Sequence, residues 1–300
     1  ADKVINNKAV TNRTAVALVG MIVGHPELVR FGLEGFTETI DGWFLPDGYT
    51  PESPAYATMT LGGIVPMGQA MKDYSDPPGY ADANGKRYDD LDLYHDTAYH
   101  AVWEGMYNTL QGDLKYPPFA DSYARSSLGA YFAEIMATNY PERPHYLALL
   151  KEIAGDDLGG TDKKISLYYR PPGLESQSVP PLSLPDVCPP ELRIGFMRTG
   201  ERGRESLLLL SASRWGSHHQ DDSLNLYYWK QGRELLTDLG YLWDHPDKHH
   251  LVDTIAHNTV VIDGKNQIRN GRSGDVLFFH SGDHIKAMRA SSTAYAQASR

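Results

Sequence analysis

Residues 217–226, Ser-His-His-Gln-Asp-Asp-Ser-Leu-Asn-Leu, place four titratable side chains directly before an alternating segment. These side chains are His218, His219, Asp221 and Asp222. Imidazole and carboxylate groups at this density can bind a metal ion, act as a catalytic base, or form a polar loop. The segment alone leaves all three interpretations open, so the rest of the chain must distinguish them.

Two residues further along the chain extend the metal interpretation. Asp238 follows His218 by 20 residues, enough for one strand, one turn and a return strand. His257 is the second residue of the segment Ala-His-Asn-Thr-Val-Val-Ile-Asp-Gly, which predicts a further strand that starts near His257. Histidine and carboxylate side chains from adjacent strands suit a divalent metal, and nitrogen ligands favour Zn²⁺.

The elements that must position these residues change character along the chain. Up to about residue 165, apolar segments of helical length follow polar or proline-containing starts, at Asn12, Pro26 and Ser53. Helix pairs with short loops favour an α-hairpin solenoid or a closed toroid, with a plain helical bundle as the alternative. After about residue 190 the apolar period becomes two, which predicts an antiparallel sheet or sandwich.

This change of period predicts an α+β multidomain protein with a cleft where the parts meet. We expect a helical domain over 1–158, a linker rich in proline, glycine and serine over 159–190, and a sheet domain over 191–300. The chain begins without methionine and without a signal segment, so we expect it to be a piece of something longer.

Composition excludes several classes of protein. With 28 basic and 38 acidic side chains, the formal charge is −10, which argues against a nucleic-acid partner. No apolar run is long enough to span a bilayer. A single cysteine, Cys188, excludes an internal disulfide and a cysteine metal cluster. Nineteen tyrosines and five tryptophans offer flat surfaces that can stack on sugars, although most should pack in the core.

The sheet half resembles the heparinase II/III-like polysaccharide lyases. That family typically shows His-x-His-x-Asp, then a strand pair ending in Leu-Leu-x-Asp-x-Gly, then Ala-His-Asn-Thr-Val. Here "SHHQDDSLNLYYWKQGRELLTDLG" and "AHNTVVIDGKNQ" follow in that order, and "FMRTG" resembles the strand that opens the domain. The helical segments at 5–35 and 47–62 resemble the toroid of the same family.

The resemblance implies an incomplete (α/α) toroid followed by an antiparallel β-sandwich that extends beyond this chain. It also implies a lyase that acts on an anionic, uronic-acid-containing polysaccharide by β-elimination, in the periplasm or outside the cell. The catalytic residues would be Asn7, Tyr56 and His218, and no organic cofactor would be needed. Lys8, Arg13, Glu52 and Trp103 are the predicted substrate contacts, Trp103 through a possible sugar groove on its helix.

The chemistry explains these residue types. An amide or a cation must offset the uronate carboxylate so that the C5 proton can be removed, and Asn7 would do this with help from Lys8 or Arg13. A base then takes the proton and an acid protonates the leaving oxygen. Tyr56 and His218 would share these roles, and the C5 epimer would decide which is the base.

The chain departs from the family pattern at two positions. Gln220 stands where the family often has its second histidine, and Lys8 stands where some members have a histidine. The expected structural metal, Zn²⁺ or Ca²⁺, would be held by Asp238, His257 and Gln220. Two other functions compete: a non-catalytic glycan-binding relative, and a metal-dependent hydrolase built on His218, Asp238 and His257. The sequence does not indicate the polymer or the oligomeric state.

Overall fold

The computed structural model describes residues 5–50, 52–161, 167–214, 218–243 and 245–295. Helices come first and strands second, as predicted. The α-helices are α1 (Asn7–Val23), α2 (Pro26–Gly42), α3 (Pro54–Ala70), α4 (Tyr99–Asn108), α5 (Gly129–Asn139) and α6 (Pro144–Ala154). The strands are β1 (Ile194–Thr199), β2 (Ser206–Ser211), β3 (Asn225–Lys230), β4 (Arg233–Leu236), β5 (Gly274–Ser281) and β6 (Lys286–Ser292).

The first helix begins earlier than the sequence predicts. The prediction placed its start at Asn12, but α1 begins at Asn7 because Asn6 is the cap. The Asn6 Oδ1 accepts a hydrogen bond from the Ala9 backbone N–H at 2.8 Å, which satisfies one of the helix's unpaired donors. The polar residues before Asn12 are therefore the first turn of the helix, and Asn7 lies inside it.

The start of α3 agrees with its sequence. Ser53 caps the helix, accepting a hydrogen bond from the Tyr56 backbone N–H at 3.3 Å, and Pro54 occupies the first turn. Proline fits there because its missing N–H would have no helical partner. This cap fixes Tyr56 in the first turn of α3, at the end of the helix that faces the sheet domain.

The linker packs on the helical half. Leu174 and Leu182 are buried in the same apolar cluster as the helices. The Tyr107 hydroxyl donates to the Ser183 carbonyl oxygen at 2.8 Å, and the Lys151 ammonium donates to two carbonyl oxygens of the segment 175–177. The linker is thus held in place by its buried leucines and by hydrogen bonds that its backbone carbonyl oxygens accept from side chains of the helical half.

The strands form two antiparallel sheets. One has the order β1-β2-β3-β4 and the other consists of β5 and β6. The sheets approach closely at Gly195, where a Cβ atom would lie 2.2 Å from the Met288 sulfur. The strand predicted from His257 is wrong: residues 257–264 hold only the isolated bridge between Ile262 and Lys265. The segment instead bonds irregularly beside β3, through Leu226 and Asn258.

The two halves share an apolar core. Tyr49 and Phe119, from the helical half, pack in one cluster with Ile194, Phe196 and Trp229 of the first sheet. This shared core fixes the position of the sheet relative to α3. No helix in the described part of the chain combines the length and apolarity that a membrane span requires.

Candidate active site

The segment 120–123 connects three parts of the candidate site. The Ser122 hydroxyl accepts a hydrogen bond from the Ala55 backbone N–H, at the start of α3, at 3.1 Å. The neighbouring Asp121 backbone N–H donates to the carbonyl oxygen of His218 at 3.0 Å. Backbone contacts therefore place the first turn of α3 next to the histidine cluster of the sheet domain.

A third contact of the same segment requires glycine. The Ser122 carbonyl oxygen accepts a hydrogen bond from the Tyr241 backbone N–H at 3.0 Å. At the preceding residue, Gly240, a Cβ atom would lie 2.2 Å from that same oxygen, and φ is +63°. Any other side chain would push the loop away from Ser122. The glycine of the Leu-Leu-x-Asp-x-Gly motif thus brings Tyr241 to the site.

Tyr56 and His218 are in direct contact across the two halves. Their rings stack with centroids 3.8 Å apart and an angle of 21° between the planes. The His218 Nδ1 lies 2.8 Å from the Asp121 Oδ2, and its Nε2 lies 4.0 Å from the Glu52 Oε2. The imidazole is 33% exposed, whereas each carboxylate is 15% exposed.

The contact with Asp121 determines what His218 can do. A carboxylate at Nδ1 favours the tautomer that carries its proton there, so the lone pair is on Nε2. His218 also has φ +64°, a conformation that costs energy for a residue other than glycine. The surrounding contacts hold the His218 backbone in this strained conformation, and the ring is placed so that Nε2 can accept a proton.

The hydroxyl of Tyr56 is suited to the opposite role. Burial, followed by the hydrogen bond and charge of Tyr241, raises the pKa of Tyr56 above its ordinary value. The nearby carboxylate of Asp121 acts in the same direction. At neutral pH the phenol therefore keeps its proton and can donate it.

Glu52 closes the other side of the imidazole. Its Oε1 accepts a hydrogen bond from the Trp43 indole N–H at 3.3 Å. Burial raises the pKa of Glu52, while the charge of His218 and the Trp43 bond oppose the shift. The predicted contact residue Glu52 thus lies at the site, beside His218.

Asn7 lies near the Tyr56 face of α3. Its amide nitrogen is 2.7 Å from the sulfur of Met59, which follows Tyr56 by almost one helical turn. Thioether sulfur is a weak acceptor, so the amide hydrogens remain available to a stronger one. Lys8 follows Asn7 and is exposed.

Two predicted substrate contacts are wrong. Arg13 points from α1 to α2, where its guanidinium donates to the Phe31 carbonyl oxygen at 2.9 Å and to Glu38 at 2.6 Å. The Arg13 guanidinium is therefore engaged in the packing of α1 against α2. Trp103 has no exposed surface, because it packs among the aromatic rings of the helical core. A ring that water cannot reach cannot stack on a polysaccharide.

Asp222, Asp238 and His257 form a second cluster, within the sheet half. One possible ligand atom from each lies within 4.8 Å of the other two. The His257 Nδ1 is 3.2 Å from the Asp238 Oδ2, and the His257 Nε2 is buried without a hydrogen-bond partner of good geometry. Two buried carboxylates beside a buried imidazole fit a divalent cation.

The electrostatics of this cluster also fit a cation. Burial, together with the charge of Asp238, raises the pKa of Asp222 to about 7 despite the nearby imidazole. Burial would lower the pKa of His257, but its hydrogen bond to Asp238 and the two carboxylate charges raise it. A cation bound here would compensate the carboxylate charge that burial penalises.

The structure does not support Gln220 as the third ligand. Its amide nitrogen donates to the carbonyl oxygens of Ala120 and Gly240, each at 3.1 Å. Gln220 therefore joins the loops that carry Asp121 and Tyr241. Asp222, two residues further on, completes the triangle with Asp238 and His257 instead.

The sequence analysis missed two residues of the site and misassigned a third. Asp121 lies 97 residues before its partner His218, and only the fold brings the two together. Tyr241 directly follows the Leu-Leu-x-Asp-x-Gly motif, so its position next to the glycine of that motif was a usable signal. Asp222 was already part of the matched motif, but Gln220 was chosen in its place as the metal ligand.

Comparisons with known proteins agree with this description. The model of the family "Heparinase II/III-like, C-terminal" matches residues 192–295, about a third of the chain. No curated protein matched the chain. Among solved structures, the heparan sulfate lyase HepC from Pedobacter heparinus is similar with a TM-score of 0.72 at 14% identity. A heparinase III structure is similar with a TM-score of 0.69, also at 14% identity.

These similarities cover nearly all of this chain but less than half of the neighbours. The match to HepC covers 96% of this chain and 41% of that one, and the match to heparinase III covers 95% and 45%. At such low identity the structural likeness concerns the fold. Residues 192–295 match the model of the heparinase II/III-like C-terminal family, and the chain as a whole is similar in fold to the part of these neighbours that it covers.

Proposed function

We propose that this chain is the catalytic part of a polysaccharide lyase that cleaves a uronic-acid-containing polysaccharide by β-elimination. The observation that carries the proposal is the stacked pair of Tyr56 and His218, held by Asp121 where the two halves meet. One side chain of the pair keeps a proton and the other is arranged to accept one. Elimination requires these two groups on one sugar.

The first requirement is to offset the substrate carboxylate. Removing the C5 proton builds negative charge on that carboxylate, and preorganised donors stabilise it. The Asn7 amide has only a weak partner, and it lies in the first turn of α1, where the helix dipole is positive. We place the uronate carboxylate here, with the exposed Lys8 adding charge in an otherwise acidic protein.

The proton transfers then follow from the pair. The His218 Nε2 takes the C5 proton, the C4–C5 double bond forms, and the bond from C4 to the glycosidic oxygen breaks. The Tyr56 hydroxyl gives its proton to the departing oxygen. The Tyr56 phenol is protonated at neutral pH, and the Asp121 contact holds the His218 Nδ1, so each group starts in the state that its role requires.

A divalent cation, Zn²⁺ or Ca²⁺, is proposed for the second cluster, with Asp222, Asp238 and His257 as ligands. Bound there, it would supply charge compensation and rigidity to the loops behind His218, and no step of the reaction passes through it. The alternative of a metal-dependent hydrolase is disfavoured because the Asp238 and His257 side chains are only 1% and 2% exposed. A catalytic metal needs a coordination position open to substrate.

The wider architecture and location belong to the same proposal. We propose that α1–α6 are part of an (α/α) toroid and that the two sheets are part of a β-sandwich, as the likeness to the heparinase structures suggests. An enzyme for such a polymer would work in the periplasm or outside the cell, where the polymer is accessible.

The decisive experiment mixes the full-length protein with separate uronate polymers. Heparan sulfate comes first, since it is named as the substrate of the neighbour HepC, followed by hyaluronan, chondroitin sulfate and alginate. A lyase forms a conjugated C4–C5 double bond, seen as new ultraviolet absorbance. Binding of a polymer with no such product would instead indicate a non-catalytic glycan-binding protein.

A further inference from the structure

Three aromatic side chains form an exposed surface beside the catalytic pair. Tyr123 and Trp243 stack with centroids 6.1 Å apart and an angle of 21° between the planes. Tyr241 contacts both, at 5.6 Å and 6.1 Å. We name these three residues the aromatic platform.

The platform continues directly into the proposed active site. The Tyr241 hydroxyl is near enough to that of Tyr56 to raise the pKa of Tyr56, and the Tyr241 backbone N–H donates to the Ser122 carbonyl oxygen at 3.0 Å. Tyr123 comes from the same segment as Asp121, the partner of His218. A sugar at the catalytic pair would therefore have its neighbour in the polymer close to these rings.

The exposure of Trp243 is unusual in this molecule. It is 54% exposed, whereas the other tryptophans that the structure describes, Trp43, Trp103 and Trp229, are at most 7% exposed. Its backbone has φ +54°, which is costly for a bulky residue. An exposed indole adds little to the core, so packing in the folded chain does not explain its position.

We propose that the aromatic platform binds a second sugar of the polysaccharide, adjacent to the sugar that reacts, by stacking on its C–H face. This inference rests on the proposed function for the identity of the polymer. Aromatic rings combine a large apolar face with polar edges, which suits a ring with one apolar face and hydroxyl groups around it. The platform thus makes the site prefer chains longer than the single reacting unit.

The test measures binding in the slow variant Tyr56→Phe, so that turnover does not consume the ligand. The ligands are heparan sulfate and hyaluronan oligosaccharides of two and six sugars, titrated calorimetrically into the full-length protein. Adding Trp243→Ala should weaken binding of the six-sugar ligand roughly tenfold, the scale of removing one stacked interface aromatic. Adding Trp243→Phe should restore most of the affinity, because a ring remains.

The matched control is Phe278→Ala on β5, an aromatic ring that is 51% exposed outside the platform. It should leave oligosaccharide binding unchanged. Equal binding with and without Trp243, or no binding of any oligosaccharide, overturns the inference. If the wild type forms product but binding does not depend on Trp243, the proposed function stands and the platform inference fails. If binding depends on Trp243 but no product forms, the platform inference stands and the proposed function fails.

Discussion

Histidine and carboxylate groups occur together in two regions of this molecule, and their surroundings differ. At the first, His218 is one-third exposed and its partners Asp121 and Tyr56 come from the other half of the chain. At the second, His257 and Asp238 are almost fully buried and both come from the sheet half. The first region can exchange protons with a ligand, while the second can hold only something small inside the protein.

The comparison explains why we propose different functions for similar residues. A histidine that is accessible and held at one nitrogen is prepared for proton transfer. A histidine enclosed with two carboxylates is prepared for a cation, since burial penalises the unneutralised charge. His218 and Asp222 lie only four positions apart in one motif, but they belong to different clusters.

The largest expected effect is on catalysis at the first region. Tyr56→Phe keeps the ring that stacks on His218 but removes the proton donor, so turnover should fall by about 10²–10⁴-fold. Initial rates of ultraviolet product formation measure this, with circular dichroism to verify folding. Tyr168→Phe, at a ring 74% exposed on the linker, is the matched control. Near-normal turnover in Tyr56→Phe would show that another group protonates the leaving oxygen.

The second prediction concerns Asp121, which acts through His218. Asp121→Asn keeps the shape but removes the charge that fixes the imidazole, so kcat should fall by about 10–100-fold, as for other groups that orient a functional histidine. KM should change little, and Asp121→Glu should recover part of the rate. Asp89→Asn, at an exposed surface ion pair with Arg87, serves as the control. A change in KM alone would mean that Asp121 binds substrate instead.

The third prediction turns to the buried cluster. His257→Ala should remove the stoichiometric metal found by elemental analysis and should lower the unfolding midpoint by several degrees. Turnover should fall by only about tenfold, through the looser loops behind His218. Wild-type protein without metal, combined with a variant of full stability, would contradict the cation proposal.

Much of the fold followed from local sequence, because its signals are local. Ser53 and Pro54 predict the start of α3, and the change of apolar period predicts the change from helices to sheets. The errors came from longer range. Asn12 looked like a cap because Asn6, which does cap α1, precedes a polar first turn. The segment after His257 has the composition of a strand, but it makes isolated hydrogen bonds to Asn225 and Leu226 of β3 and does not form a ladder.

The site was predictable to the extent that family motifs carry it. Tyr56 and His218 came from separate motifs, and the fold brings their rings into contact. Arg13 and Trp103 could not be judged from sequence, since a charged or aromatic residue on a helix can face a cleft or a neighbouring helix. Asp121 left no local signal, because its function depends on a contact with a residue far along the chain.

The smallest expected effect is on stability and concerns Glu104, a partly buried carboxylate that accepts several hydrogen bonds. Glu104 lies outside both regions, in α4, and is bonded by Arg143 at 2.6 Å and by the Tyr146 hydroxyl at 2.8 Å. Burial alone would raise its pKa, but the bonds from His145, Tyr146 and Arg143 lower it to about 2. In Asp222, which faces a second carboxylate, burial prevails and the pKa rises to about 7.

The sign of the Glu104 effect follows from this difference. Its folded pKa of about 2 lies below the ordinary value of 4.5, so its contribution to stability is full above pH 4.5 and is lost as the pH falls toward 2. Because the side chain is one-third exposed, Glu104→Gln should cost roughly 1–2 kcal/mol at pH 7. Denaturant unfolding at pH 7 and pH 3 measures this, and the gap between wild type and variant should narrow at pH 3. A gap that stays constant would mean that the cost comes from lost packing and not from the lost charge of Glu104.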